Sequence, residues 1–189
     1  MSTTTYSSNN VLNAVAAAAK VLDERKEEVN RLNVFPVPDG DTGTNMSLTI
    51  QSVVSNVANL PIGAPGADIR KAITTGALMG ARGNSGVITS QILRGLCEGS
   101  QSFDEFDVES IAASFDRARE VAFQAVRNRV EGTILTVLRD SAAAAKVAVE
   151  QELSIPEALD AIVAEAYASV QRTPDLLPVL KEHGVVDAG

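Results

Sequence analysis

The segment NVFPVPDGDTGTNM, residues 33–46, places Asp39 and Asp41 one glycine apart and then leads into a helical pattern. The segment contains no lysine or arginine that would neutralise the two carboxylates. Apolar residues then recur at three- and four-residue intervals, the spacing of one face of an amphipathic helix: Met46, Ile50, Val53, Val57 and Leu60. The segment therefore predicts a helix that begins beside a concentrated negative charge.

The same helical spacing continues along the rest of the chain, and alternation of apolar and polar residues is almost absent. Turn-forming stretches such as LPIGAPGAD at 60–68 and RVEGT at 129–133 separate the apolar stripes. Ser154 with Glu157 predicts a capped helix start, and Thr173 followed by Pro174 predicts the start of a short last helix. The pattern indicates an all-α fold, an antiparallel up-and-down bundle or barrel of about eight helices.

Composition limits the classes of function. The chain has 189 residues, 45% of them hydrophobic, which suits a single domain with one core. Its formal charge of -8 argues against a nucleic-acid partner. No stretch approaches the roughly 20 apolar residues of a membrane span, and the first ten residues lack the pattern of a signal peptide, so we expect a cytoplasmic protein.

Cys97 and His183 are the only residues of their kinds. We expect Cys97 to pack between helices and His183, beside Gly184, to meet free carbonyls at a helix end. A catalytic triad would need the lone histidine, and the sequence contains neither a nucleophile elbow nor a P-loop motif.

If successive helices run up and down, the starts of helices 2, 4, 6 and 8 lie at one end of the bundle. The unusual polar stretches precede these four starts: DGDTGTN at 39–45, ARGNSG at 81–86, VEGT at 130–133 and QRTPD at 171–175. Helix N-termini carry free N–H groups and partial positive charge, and phosphate is a typical ligand of such ends. The topology therefore predicts one phosphate-binding site at this end.

Asp39 and Asp41 would repel each other and any phosphate unless a cation lies between them. Mg²⁺ fits, because it takes one or two carboxylates together with phosphate oxygens and waters. Gly40 and Gly43 allow tight turns, and the residues after Asp41 supply hydroxyl, amide and N–H donors. The alternative is that Asp41 or Thr42 simply caps the helix and that Asp39 is a turn residue.

The second polar stretch also has two interpretations. Ser85 and neighbouring N–H groups could bind a phosphate with Arg82 as a charge partner, or Asn84 or Ser85 could do no more than cap helix 4. Gly132 and Thr133 likewise make an adequate loop and cap without any ligand.

Four segments together resemble the N-terminal kinase domains of the fatty acid kinase A subunits, relatives of the dihydroxyacetone kinase L subunit. These segments are NVFPVPDGDTGTNMSLT, GALMGARGNSGVITSQILRG, EGTILTV and TPDLLPVLKEHGVVDAG. The resemblance implies an eight-helix barrel that binds ATP or ADP with two Mg²⁺ ions at one end. It also implies phosphoryl transfer to a fatty acid carried by a separate acyl-binding protein, which yields acyl phosphate for phospholipid synthesis.

The resemblance assigns roles to residues by position. Asp39 and Asp41 match the metal-binding carboxylates, which would act in catalysis through the bound metal, and Asn33 is a further candidate where glycerone kinases have a third aspartate. Residues implied at the nucleotide are Thr42, Gly43, Thr44, Asn45, Asn84, Ser85, Gly86, Gly132, Thr133, Arg172 and Asp187.

Relatives continue beyond the final VVDAG, so we expect residues 1–189 to be a single ATP-binding kinase domain, the N-terminal part of a longer protein that could form a homodimer through its other domains. Three alternatives stay open at this point. They are a dihydroxyacetone-kinase-like phosphotransferase, a nucleotide-binding interaction or regulatory module, and a plain helical bundle without a ligand.

Overall fold

The computed structural model describes residues 8–100 and 106–189, and within this part the chain forms eight α-helices and no strand. The helices are α1 (Ser8–Leu32), α2 (Thr42–Ala58), α3 (Gly66–Gly80), α4 (Gly83–Gly99), α5 (Val108–Ala125), α6 (Ile134–Glu150), α7 (Ile155–Leu176) and α8 (Pro178–His183). This confirms the predicted all-α bundle.

Helices that follow one another in the chain pack side by side, and α2 also packs against α4. Contacts between α2 and α3 and between α4 and α5 run in opposite directions along the two helices: Gly76 with Val53, Gly80 with Ser52, Gly95 with Ala118, and Gly99 with Ser114. A Cβ added at Gly95 would stand 2.4 Å from the Cα of Ala118, so glycine is needed for this close approach. The neighbours are therefore antiparallel, as short loops predict.

Two apolar clusters of the described residues contribute to the core. One joins α2, α3 and α4 through Val53, Ile69, Ile73, Ala77 and Cys97. The other joins α5 and α6 through Ala118, Ala122, Leu135 and Leu138, with Ile88 and Ile92 of α4 packed against it. Because α4 contributes to both clusters, it fixes the first half of the bundle relative to the second.

Several local predictions are confirmed. The Glu157 carboxylate accepts the Ser154 N–H at 2.9 Å and so closes the capping box of α7. Cys97 is buried, and burial raises the pKa of its thiol to about 11, which suits packing rather than nucleophilic chemistry. His183 Nδ1 lies 2.9 Å from the carbonyl oxygen of Val179 in the last turn of α8.

The predicted helix start at Thr173 and Pro174 is wrong, because both residues lie inside α7 and α8 begins at Pro178. Pro174 has no N–H to give to the carbonyl of Val170, four residues earlier. The Thr173 hydroxyl replaces that donor and lies 2.6 Å from the same oxygen. The helix therefore continues past the proline to Leu176.

Along the described helices, none combines the length with the apolar character that crossing a bilayer requires.

Candidate functional site

Asp39 and Asp41 lie exposed in the loop that leads into α2. Asp41 occupies the N-cap position, yet its side chain makes no capping hydrogen bond. Neither carboxylate bonds to another described residue. The alternative in which Asp41 serves as the helix cap is therefore not the arrangement in this structure.

Two asparagines in the last turn of α1 and just beyond it bind the N–H groups at the start of α2 instead. Asn33 Oδ1 accepts the N–H of Asp41 at 3.1 Å and that of Thr42 at 3.2 Å. Asn30 Oδ1 accepts the N–H of Thr44 at 3.1 Å. Sequence reasoning missed Asn30, although its spacing of three residues from Asn33 at the end of a helix was an available signal.

The amide nitrogen of Asn33 is also engaged: it donates to the carbonyl of Val37 at 2.9 Å and to that of Phe35 at 3.4 Å. Asn33 is only 6% exposed. Metal coordination through its oxygen would require Asp41 and Thr42 to give up their hydrogen bonds. A ligand role for Asn33 stays a prediction, and this geometry favours a role in holding the loop.

The first turn of α2 is seated directly on α1. A Cβ added at Gly43 would stand 2.2 Å from the backbone oxygen of Lys26, a distance that no side chain tolerates. Gly40, between the two aspartates, has a φ of +66°, a conformation that glycine adopts without strain. Both glycines therefore serve the loop geometry that the sequence predicted.

The start of α4 lies against the start of α2. The Ser85 hydroxyl donates to the carbonyl of Thr42 at 3.4 Å. A Cβ added at Gly83 would stand 2.3 Å from Asn45 Nδ2, and one at Gly86 would stand 2.5 Å from Thr49 Oγ1. The structure thus brings the first two predicted phosphate-binding segments together, with Asn84 exposed beside them.

Arg82, the proposed charge partner of a phosphate, is exposed. Its guanidinium donates to the carbonyl of Ala81 at 2.9 Å and to that of Met79 at 3.4 Å. In this structure it therefore binds carbonyl groups at the end of α3.

The start of α6 forms a second polar region. Gly132 has a φ of +79°, and its N–H donates to the Thr136 hydroxyl at 2.9 Å. A Cβ at Gly132 would stand 2.8 Å from the backbone oxygen of Thr173 on α7. Thr133 precedes α6 without a capping side-chain bond, and its hydroxyl donates to the carbonyl of Val130 at 2.8 Å.

Asp187, from the last residues of this chain, also lies in this second region. Its carboxylate accepts the N–H of Gly189 at 3.0 Å and lies near the N–H of Ile134, the first residue of α6. Its own N–H donates to the buried Thr173 hydroxyl at 3.0 Å. Burial raises the pKa of Asp187 to about 6, although these N–H donors act in the opposite direction.

Arg172 points away from this region, toward a cluster of charged side chains between α6 and α7. Its guanidinium lies 3.1 Å from Asp140 Oδ2 and 2.5 Å from Glu165 Oε1. Asp140 also accepts the Ser169 hydroxyl at 2.7 Å, and donors from Ser169, Arg139 and Arg172 lower its pKa against the effect of burial. Contact between Arg172 and a nucleotide would require these ion pairs to open.

The up-and-down topology places the two polar regions at the same end of the bundle. α4 and α5 are antiparallel, as the contacts of Gly95 with Ala118 and of Gly99 with Ser114 show, and α5 packs against the next helix, α6. In this topology the start of α6 lies on the same side as the starts of α2 and α4.

The carboxylates of Asp39 and Asp41 fit a magnesium site in which the protein supplies few of the ligands. The described residues contain no group of three or more histidine, cysteine, aspartate or glutamate side chains that could hold a metal ion. Asp39 and Asp41 would therefore provide at most two ligand side chains. Mg²⁺ is often bound in this way, by one or two carboxylates with phosphate oxygens and waters completing its shell.

A cavity of about 550 Å³ lies elsewhere, between α3 and the last turn of α4, with Arg70, Thr74 and Cys97 among its lining residues. It is at the opposite end of α4 from Ser85. The candidate site is instead an exposed surface formed by helix starts.

Fold and site define an all-helical domain that presents unpaired carboxylates beside two glycine-rich helix starts. Residues 36–189 match the family model of the DAK2 domain, and the chain belongs to this family. The family is related to the L subunit of dihydroxyacetone kinase, so the chain is a kinase-related domain.

Curated bacterial proteins are similar to the chain along most of its length. Protein YloV of Bacillus subtilis is 44% identical over 189 residues, which are 100% of this chain and 34% of that protein. An uncharacterized protein of Staphylococcus haemolyticus is 46% identical over 175 residues, 93% of this chain and 32% of that protein. The chain therefore spans about a third of the length of the curated relatives it matches.

Proposed function

We propose that the chain is a Mg-ATP-dependent phosphotransferase domain of the fatty acid kinase type. It transfers a phosphoryl group from ATP to the carboxylate of a fatty acid held by a separate acyl-binding protein, and the acyl phosphate feeds phospholipid synthesis. Membership of the DAK2 family supports the kinase chemistry. The resemblance of the four motifs to fatty acid kinase A subunits supports the acceptor.

One observation carries the proposal. Asp39 and Asp41 are exposed without a protein partner, directly beside the converging starts of α2 and α4. Carboxylates that serve only the fold usually bond to N–H groups or cations, as Asp187 does here. A pair left without such partners is what a site for bound cations requires.

Each segment has a proposed role toward the nucleotide. Asp39 and Asp41 hold the Mg²⁺ ions, and these ions, when bound, neutralise the charge on the phosphates and on the transferring group. Donors at 42–45 and 84–86 orient the phosphates. Gly132 and Thr133 contact the nucleotide, and Asp187 borders its outer side. Arg172 could reach that side only after leaving Asp140 and Glu165.

The acceptor needs no general base from this chain. A fatty acid carboxylate is already ionised at neutral pH, so it can attack phosphorus without losing a proton. Replacement of any polar side chain outside the metal site should therefore leave acyl-phosphate formation measurable as long as Mg-ATP still binds. A complete loss from one such replacement would contradict this point.

The family match also favours a second candidate, transfer to a hydroxyl of dihydroxyacetone or a related small ketone. A hydroxyl acceptor does require removal of a proton in the reaction. Phosphate transfer from ATP should therefore be measured with both acceptors, on this chain and on the longer protein. Product formed from dihydroxyacetone but not from the protein-bound fatty acid would favour the second candidate.

Calorimetric titration of ATP tests the metal-nucleotide site. The wild-type chain should bind ATP with Mg²⁺ and lose most of its affinity in EDTA, and Asp41→Ala should bind weakly in both conditions. Asp160→Ala, which removes an exposed aspartate from α7, is the matched control and should bind as the wild type does. Equal affinity with and without Mg²⁺, or in both variants, would contradict the proposal.

The partner and the setting belong to the same proposal. The reaction is cytoplasmic, the acyl-binding protein is a separate partner, and the longer protein pairs with itself through domains beyond this chain. A nucleotide-independent interaction with a protein partner that survives loss of both aspartates would instead favour an interaction module.

A further inference from the structure

We infer that Asn30 and Asn33 are positioning residues that hold the Asp39–Asp41 loop on α1, and that Asn33 is not a metal ligand. The inference rests on the proposed function for its consequences in nucleotide binding. Its structural part stands on the hydrogen bonds of the two amide side chains and can be measured without any ligand.

Asn33 holds the loop on both sides of Asp39. Its amide nitrogen donates to Val37 O at 2.9 Å, before the aspartate, and its oxygen accepts the N–H of Asp41 at 3.1 Å and that of Thr42 at 3.2 Å, after it. Its burial excludes most of the water that would compete for these groups. The segment between the two anchored ends contains Asp39 and Gly40.

Asn30 acts in the same way at the next position. Its oxygen accepts the N–H of Thr44 at 3.1 Å, and its nitrogen donates to the Thr44 hydroxyl at 3.0 Å. Asn30 lies in the last turn of α1 and Asn33 directly follows the helix, so both amides reach the loop and the start of α2 from the end of α1. Together they bind three of the backbone N–H groups around the start of α2.

A neutral amide suits the binding of N–H groups around the start of α2 better than a carboxylate does. The free N–H groups at a helix start attract a nearby aspartate, and Asp41 is in the position from which aspartates usually cap. Because the Asn30 oxygen already occupies the Thr44 N–H, one of the two donors that such a cap normally binds, the Asp41 carboxylate stays available. An aspartate at position 33 would keep the acceptor, but it would lose both donors and place a third negative charge beside the pair.

The Asn33→Asp variant separates the positioning role from a ligand role. A positioning role predicts that Mg-ADP affinity falls about tenfold or more, because two carbonyls lose their donor and the loop loosens. A ligand role predicts that the new carboxylate maintains or tightens Mg²⁺ binding, and that result would overturn the inference. Asn56→Ala is the matched control, since Asn56 donates to the Ser52 carbonyl near the far end of α2 and should not change affinity.

Amide hydrogen exchange measured by NMR on the ligand-free chain gives the independent readout. Asn33→Ala should accelerate exchange at Asp41 and Thr42, and Asn30→Ala should accelerate it at Thr44. Exchange that stays as slow as in the wild type at all three amides would overturn the inference. Asn30→Ala keeps the test decisive if Asn33→Ala does not fold.

The two proposals fail in different ways. If the wild type binds no Mg-nucleotide while the exchange rates change as expected, the proposed function fails and the positioning by asparagine stands. If the wild type binds Mg-nucleotide and Asn33→Asp binds equally well, the proposed function stands and the positioning role fails.

Discussion

The starts of α2 and α6 both have aspartates beside them, and the two helices use these aspartates in opposite ways. At α6, the carboxylate of Asp187 accepts the N–H of Gly189 and lies near the N–H of the first helical residue, Ile134. At α2, the adjacent Asp41 leaves its carboxylate free, and asparagines from α1 take the N–H groups.

The difference shows how a structural aspartate at a helix start can be distinguished from one whose carboxylate is free. An aspartate whose oxygens accept N–H donors contributes to the fold, and replacing it should cost stability. One that lies beside a helix start without accepting any contributes no such bond. Such a carboxylate is free to bind a ligand, which under the proposed function is a cation. Four variants test the comparison of the two helix starts, and they follow in order of decreasing expected effect.

Gly43→Ala should break the start of α2. The added methyl group would collide with the Lys26 backbone, which cannot move without separating α1 from α2, so we expect a loss of more than about 3 kcal/mol in the free energy of unfolding. Denaturant titration followed by circular dichroism measures it. Gly63→Ala, with open space around a φ of +77°, should lose only about 1 to 2 kcal/mol. Similar losses in the two variants would argue against the close seating of α2 on α1.

Asp39→Asn should separate binding from stability at α2. We expect about a hundredfold loss in Mg-ADP affinity, about 2.7 kcal/mol. The free energy of unfolding should change by less than about 0.5 kcal/mol, because the carboxylate has no protein partner to lose. Calorimetry and denaturant titration on the same sample test both parts. A large loss of stability with unchanged affinity would place Asp39 with the structural aspartates.

Asp187→Asn should change how stability depends on pH at α6. The folded pKa of about 6 lies above the ordinary value of 3.8, so the protonated group is favoured in the folded state. The stability it contributes is complete below about pH 4 and is lost as pH rises to about 6. Relative to Asp187→Asn, the wild type should therefore lose about 2 kcal/mol across this window. Parallel pH profiles for the two proteins would contradict the raised pKa.

Arg172→Gln should have the smallest effect. The Arg172 guanidinium that pairs with Asp140 and Glu165 lies at the surface, and ion pairs of surface side chains contribute at most about 1 kcal/mol. Since the guanidinium is held away from the α6 loop, we also expect Mg-ADP affinity to change by no more than about twofold. A tenfold loss of affinity at unchanged stability would show that Arg172 leaves its carboxylates for the nucleotide, as the resemblance implies.

Features that depend on neighbours within one or two helical turns were predictable. The apolar stripes predicted about eight helices, and the structure has eight along its described residues; the pair Ser154 and Glu157 identified the start of α7. The helix start predicted at Thr173 and Pro174 was wrong. The local rule for a helix start does not consider the Thr173 hydroxyl, which replaces the missing N–H donor at the carbonyl of Val170.

The candidate site was likewise predictable only in part. Spacing in the sequence indicated Asp39, Asp41 and the glycine-rich start of α4 as one phosphate-binding end, and α2 and α4 do meet there. It could not assign Asn30, or show that Asn33 is saturated with backbone partners, because both depend on how α1 lies beside α2. Arg172 was matched by position alone, and its charged neighbours on α6 and α7 became visible only after those helices were paired.

The sequence by itself determined the helices and the polar character of one end, because periodic burial and capping act between residues a few positions apart. Only the tertiary structure decided which aspartates are free and which are caps. The bonds that decide this join residues as distant as Asn30 and Thr44, 14 positions apart, or Thr42 and Ser85, 43 apart. Such partners meet only when helices pack, since a hydrogen bond needs its donor and acceptor in direct contact.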